Sequence, residues 1–102
     1  MFGPERFTRT SGSPNVFDET ITVDGNDQAP FTLRVINGNA NGSNRVSAAT
    51  IDINGAQVAG PSDFGSVPGF DRRVALNRNN NALRIRLTSS PGSFLTLSVC
   101  GN

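Results

Sequence analysis

The chain has 102 residues, 35% of them hydrophobic, and nine basic against eight acidic side chains for a formal net charge of +1. That length suits one domain, residues 1–102, around one core, and the near balance of charge argues against a nucleic-acid or anionic-membrane surface driven by bulk charge. No run approaches the roughly 20 apolar residues needed to span a bilayer, which excludes membrane insertion by a helix, and without His, Lys or Tyr the usual general bases are missing, so no enzyme is expected.

Alternation of apolar and polar residues predicts eight strands and no helix. The first lies near residues 6–10 and the second at 16–23. In the second, Phe17, Ile21 and Val23 share parity with Glu19, which buries a carboxylate unless the strand runs along a sheet edge. A tight polar turn follows at Asp24-Gly25-Asn26-Asp27. Asp24, Asn26 and Asp27 offer the hard oxygen ligands that Ca²⁺ takes, but fall far short of the six to eight it needs. Asp and Asn in such a turn are explained by conformation alone, and one Cys without His argues still more strongly against zinc; no metal or cofactor is expected.

The third strand, Phe31–Asn37, points Phe31, Leu33 and Val35 inward and Thr32, Arg34 and Ile36 outward. After it NGNANGSN, residues 37–44, reads as a long flexible loop. The fourth strand, residues 46–53, changes phase near Ala48, where one extra residue, a β-bulge, restores the register. It leads into the clearest local signal of the chain, Asn54-Gly55, the preferred centre of a two-residue hairpin turn because both residues tolerate positive φ. Across that turn Ile51, Ile53, Ala56 and Val58 share one face, with Asp52 and Gln57 on the other.

Residues 60–71, GPSDFGSVPGFD, set Phe64, Val67 and Phe70 among Pro and Gly. Such a loop folds back as a plug over one end of a sandwich; alternatively Phe64 or Phe70 stays exposed as an anchor for a partner. The sixth strand follows at 72–77 and the tight turn of residues 77–81 precedes the seventh at 82–88, which faces Leu83, Ile85 and Leu87 to the core and Arg84, Arg86 and Thr88 to solvent. Ser89-Ser90-Pro91-Gly92-Ser93 has Pro and Gly in type II order. The last strand, Phe94–Cys100, buries Leu95, Leu97 and Val99, with Phe94, Thr96, Ser98 and Cys100 on the other side.

One-face burial of this kind indicates antiparallel sheets, and strand spacing near ten residues indicates a two-sheet β-sandwich of seven to eight strands, immunoglobulin-like or jelly-roll-like. RVSAATIDINGAQVAGPSDF, then RRVALN and NNALRIRLTSSPGSFLTLSV, resembles a bacterial immunoglobulin-like β-sandwich module of secreted and surface-anchored proteins. With the leading FGPERFTRTSGSPN the resemblance spans nearly the whole chain; its most specific element is the NG hairpin followed by GPSDF. The resemblance implies an extracellular, non-enzymatic module and carries no site residues.

The expected function is therefore a non-catalytic interaction or spacer module of a bacterial extracellular or surface protein, although no basic and apolar leader stands in these residues. Two alternatives belong to other classes: a carbohydrate-binding module, and a phage or filament structural subunit located in the virion. Arg34, Arg84 and Arg86 are candidate binding residues, since outward guanidinium groups present forked donors to carboxylates, phosphates or sugar hydroxyls; as solvated residues balanced by carboxylates such as Asp52 they need no ligand. A protein or glycan surface is the expected partner. Sugar recognition would have to manage without the Trp or Tyr platforms that stack on pyranose rings. Self-association through an edge strand or through Cys100 is the other expectation: parity turns Cys100 outward, while its place near a strand end equally suits a small half-buried apolar residue.

Overall fold

The computed structural model describes residues 2–12, 14–65 and 67–101. Eight strands form in the expected order: β1 (Phe2–Thr8), β2 (Asn15–Val23), β3 (Phe31–Asn37), β4 (Ala49–Ile53), β5 (Ala56–Ala59), β6 (Gly69–Val74), β7 (Asn79–Leu87) and β8 (Phe94–Cys100). They build two four-stranded antiparallel sheets, β1-β8-β3-β6 and β2-β7-β4-β5. The pairing is nested: β1 with β8, β2 with β7, β3 with β6 and β4 with β5. One long hairpin closing at Asn54-Gly55 and then rolled so that β8 meets β3 and β7 meets β4 gives this arrangement. It is the strand order of a jelly roll.

The core is the expected one. Phe31, Leu33, Val35, Ile51, Ile53, Leu83, Ile85, Leu87, Leu95, Leu97 and Val99 are all buried, none more than 6% exposed, and they face one another from the two sheets. Each such side chain contributes about 1.5–3 kcal/mol by leaving water. The two open flanks of the sandwich are closed differently. Between edge strands β1 and β2, Phe7 meets Phe17 with ring centroids 5.2 Å apart. Between β6 and β5, Arg72 reaches across from one sheet to donate to the Val58 carbonyl at 2.9 Å.

Several local expectations are corrected. β1 begins at Phe2 rather than Arg6, because its ladder with β8 skips Gly3 and Pro4 in a bulge at a sheet edge, where such residues are tolerated. β6 occupies Gly69–Val74 rather than residues 72–77. Pro68-Gly69 reads as loop, yet Gly69 pairs with Ile36 in the ladder, and a Cβ there would fall 2.5 Å from the Val35 carbonyl oxygen. The tight turn expected at residues 77–81 is shorter, since Asn79, Asn80 and Asn81 already pair with Val23, Thr22 and Ile21.

The bulge expected near Ala48 is absent. β4 starts at Ala49 and runs in unbroken register against β7, while Val46, outside the strand, is fully buried and held by Asn37. The irregularity lies in β5 instead. Asn54 and Gly55 have φ of 53° and 82°, as the hairpin turn requires, and Ile53 pairs with Ala56. Beyond Asp52–Gln57, however, Ile51 pairs with Ala59. Val58 is the extra residue of a bulge, so Ala59 takes the buried place beside Ile51 that Val58 was expected to fill, and Ala56 is exposed. Phe94 keeps to the side opposite Leu95 and Leu97, outside the core cluster, yet is only 8% exposed, because the Arg6 guanidinium covers it 4.1 Å above its ring.

Candidate interaction surfaces

The register sorts the connections into two poles. Phe2 pairs with Val99 and Thr32 with Cys100, so both ends of the described chain lie at one pole, together with the β2–β3 connection, the Asn54-Gly55 turn and the β6–β7 connection. The β1–β2, β3–β4, β5–β6 and β7–β8 connections gather at the opposite, far pole.

Buried polar side chains fasten the far-pole loops. Asn37, 1% exposed, donates from Nδ2 to the carbonyls of Val46 and Val67 at 3.0 and 3.1 Å and accepts the Val46 N–H at 2.7 Å. One amide thus ties the β3–β4 loop to the β5–β6 loop. Arg9, 7% exposed, donates to the Ser89, Thr10 and Gly12 carbonyls and to Asn15 Oδ1, joining the β1–β2 and β7–β8 connections. The loop at residues 37–44, expected to be flexible, is cross-linked: Asn39 Nδ2 donates to Ser43 Oγ and Asn44 Oδ1, and Asn44 Nδ2 donates to the Gly92 carbonyl at 3.1 Å. A buried hydrogen-bonding group at the head of a loop fixes its exit direction at little entropic cost. Sequence alone does not mark these side chains, because an Asn or Arg in a polar stretch looks the same whether it meets solvent or the core.

The β5–β6 connection packs as a plug. A single 3₁₀ turn, Pro61–Asp63, brings Phe64 inward to 4% exposure, edge-on to Phe70 at 5.5 Å. Phe70 itself is half-buried in β6. Val67, expected to join them, is exposed. Asp63 binds the Arg72 guanidinium through both oxygens at 3.1 Å and accepts the Gly60 N–H. The Arg72 hydrogen bond and that backbone donor hold the Asp63 carboxyl below its ordinary range. Phe64 is thereby turned away from solvent.

The three candidate arginines do not converge. Arg34 lies on the outer face of the β1-β8-β3-β6 sheet, bidentate to Asp71 at 2.9 and 3.3 Å, whereas Arg84 and Arg86 lie on the outer face of the other sheet, which looks the opposite way. Arg84 pairs with Asp18 at 2.7 Å and stands in a cross-strand row Asp18, Arg84, Asp52. The hydrogen bond and charge of Asp18 raise the Arg84 pKa, with Asp52 adding a smaller push. Arg86 sits between Val16 and Thr50 without an ion pair among the described residues. Next to the row, the small Ala82 leaves a trough of about 470 Å³ bordered by Asp18, Thr20, Asp52 and Arg84.

The Asp24–Asp27 turn closes on itself: Asp27 donates its N–H to the Asp24 carbonyl, and Asp27 Oδ2 accepts the Asp24 N–H at 2.9 Å. This is the conformational role expected of the DGND sequence, with Asn26 pointing outward. Cys100 is exposed, as its parity requires, on the outer face beside Arg34. Glu19, on edge strand β2, is half-buried, and an inward charge on an edge discourages pairing with another sheet. No helix among the described residues is long and apolar enough to cross a membrane.

No protein-family model, curated protein or solved structure matches the chain.

Proposed function

We propose that the chain is a non-catalytic interaction module of a bacterial extracellular or surface protein, attached by one pole and presenting the other. The pairing of Phe2 with Val99 carries this reading. In a longer polypeptide the chain would enter and leave side by side. An in-line spacer works best with its connections at opposite ends, so among the passive roles this geometry favours presentation over spacing. The fastened far-pole loops suit that role, because surfaces ordered before binding lose less freedom on contact. The lack of His, Lys and Tyr supports a role without catalysis; the bacterial extracellular setting rests on the sequence resemblance alone, because the strand order is that of a jelly roll and not of an immunoglobulin domain.

One observation favours a second reading, carbohydrate recognition. Every described exposed residue of the far-pole loops is uncharged, from Thr10 and Ser11 through Asn39, Asn41, Ser43 and Asn44 to Ser90. Amides and hydroxyls without charge match a neutral polyhydroxyl partner. Glycan and protein arrays probed with the purified domain test both readings. Ala40→Glu and Ser90→Glu place bulky charges on exposed positions at this pole; binding to either array that both variants abolish supports the proposal. Binding that survives both variants would move the interaction elsewhere.

A further inference from the structure

At the attached pole, the β2–β3 and β6–β7 connections leave two crevices on either side of Phe31 and Leu76. The larger, about 760 Å³, is floored by Phe31, Val74 and Leu76 and bordered by Ala29 and Pro30, and Arg73 is its one charged lining residue. The smaller, about 320 Å³, shares Ala29, Phe31 and Leu76 and adds Arg78 and Asp27. The larger is mostly apolar with a few polar groups, as the seat of a bound side chain is, whereas the smaller beside it is more polar than apolar.

Both walls are set in advance. The Asp24–Asp27 turn fixes one. The other is held by Asn81, 1% exposed, which accepts the Asn77 N–H at 2.8 Å and donates to the Asn77 carbonyl at 2.9 Å. The charge pattern points to the occupant. Arg34, Arg72 and Arg84 are engaged with Asp71, Asp63 and Asp18, whereas Arg73 and Arg78 have no ion pair among the described residues and line one crevice each. Asp27, the only carboxylate of the pair of crevices, already accepts a backbone N–H.

We propose that these crevices seat an acidic peptide segment of a partner protein, with a leucine-like side chain over Phe31 and Leu76 and carboxylates on Arg73 and Arg78. Apolar burial supplies most of the attraction and the two guanidinium groups supply the choice of sign. This surface is at the opposite pole from the far-pole loops, and its test is independent of theirs.

The probe is acetyl-Glu-Leu-Leu-Glu-amide at millimolar concentration, followed by amide shifts of the ¹⁵N-labelled protein. The expected result is movement of the amides of Ala29, Phe31, Ala75 and Leu76, little or none with acetyl-Lys-Leu-Leu-Lys-amide or acetyl-Glu-Ser-Ser-Glu-amide, and an unchanged far pole. Arg73→Gln and Arg78→Gln, both at exposed positions, should each weaken binding about two- to fivefold, the range an exposed ion pair supplies. No shift, equal shifts from all three peptides, or unaltered binding by the double variant would overturn the proposal. So would concentration-dependent shifts at these amides without peptide, which would assign the crevices to a second copy of the chain.

Discussion

Phe64→Ala tests whether the β5–β6 loop is a structural plug. The ring is 4% exposed and meets Phe70 edge-on at 5.5 Å. Truncating a buried aromatic costs about 3–5 kcal/mol, transfer and cavity together, and the ring pair adds about 0.5–1.5 kcal/mol beyond area. Phe64 lies at an end of the core on a loop that can settle partly into the space, so the low end applies, about 3 kcal/mol. Against the roughly 5–15 kcal/mol of a domain this size, that lowers the melting temperature by about 12–24 °C. With neither Trp nor Tyr in the chain, far-ultraviolet circular dichroism in urea is the appropriate assay, with the m-value unchanged. A double-mutant cycle with Phe70→Ala should return about 0.5–1.5 kcal/mol of coupling. A loss below about 1 kcal/mol for Phe64→Ala would refute the plug, and loss of partner binding at unchanged stability would make Phe64 a recognition residue.

Asn37→Ala strips partners from the buried Val46 amide and from the Val46 and Val67 carbonyls, and should cost about 2–4 kcal/mol in the same assay. Gly55→Val should cost about 1–3 kcal/mol, because a β-branched residue resists the φ of 82°; equal midpoints would show a different turn. The Asp63 carboxyl titrates lower folded than unfolded, so its contribution is complete above the unfolded value of about 4 and fades as pH falls through the folded one. Asp63→Asn should therefore flatten the loss of stability below about pH 4, leaving the part due to Asp71, which Arg34 also holds low; an unchanged acid limb would mean that the Arg72–Asp63 contact is not maintained in solution.

The strands and their inner faces were legible wherever one face is buried, because strict alternation, as in Phe31–Asn37 or Leu83 to Leu87, leaves a single register that hides the apolar set. Strand ends were not. Gly3, Pro4 and Gly69 look like loop, and only the ladder shows that an edge bulge or a close backbone approach requires them. The Val58 bulge was invisible for a related reason: either Val58 or Ala59 satisfies an apolar position, and the choice is made by packing against Ile51. Arg34 and Arg84 were legible as outward, yet not as belonging to opposite faces, since sheet membership follows from the nested pairing rather than from any local pattern. Asn37, Arg9 and Arg72 act through long-range contacts, and polar type alone carries no mark of that.

The proposed role rests on both ends of the domain lying together. Nitroxide labels on the native Cys100 and on a Phe2→Cys variant measure this directly. Paired antiparallel strands hold opposed Cα atoms about 4.5–5.5 Å apart, and Phe2 is opposite Val99, so strong short-range dipolar broadening is predicted. Labels free of such broadening, at a separation approaching the 39 Å long axis of the molecule, would contradict the account.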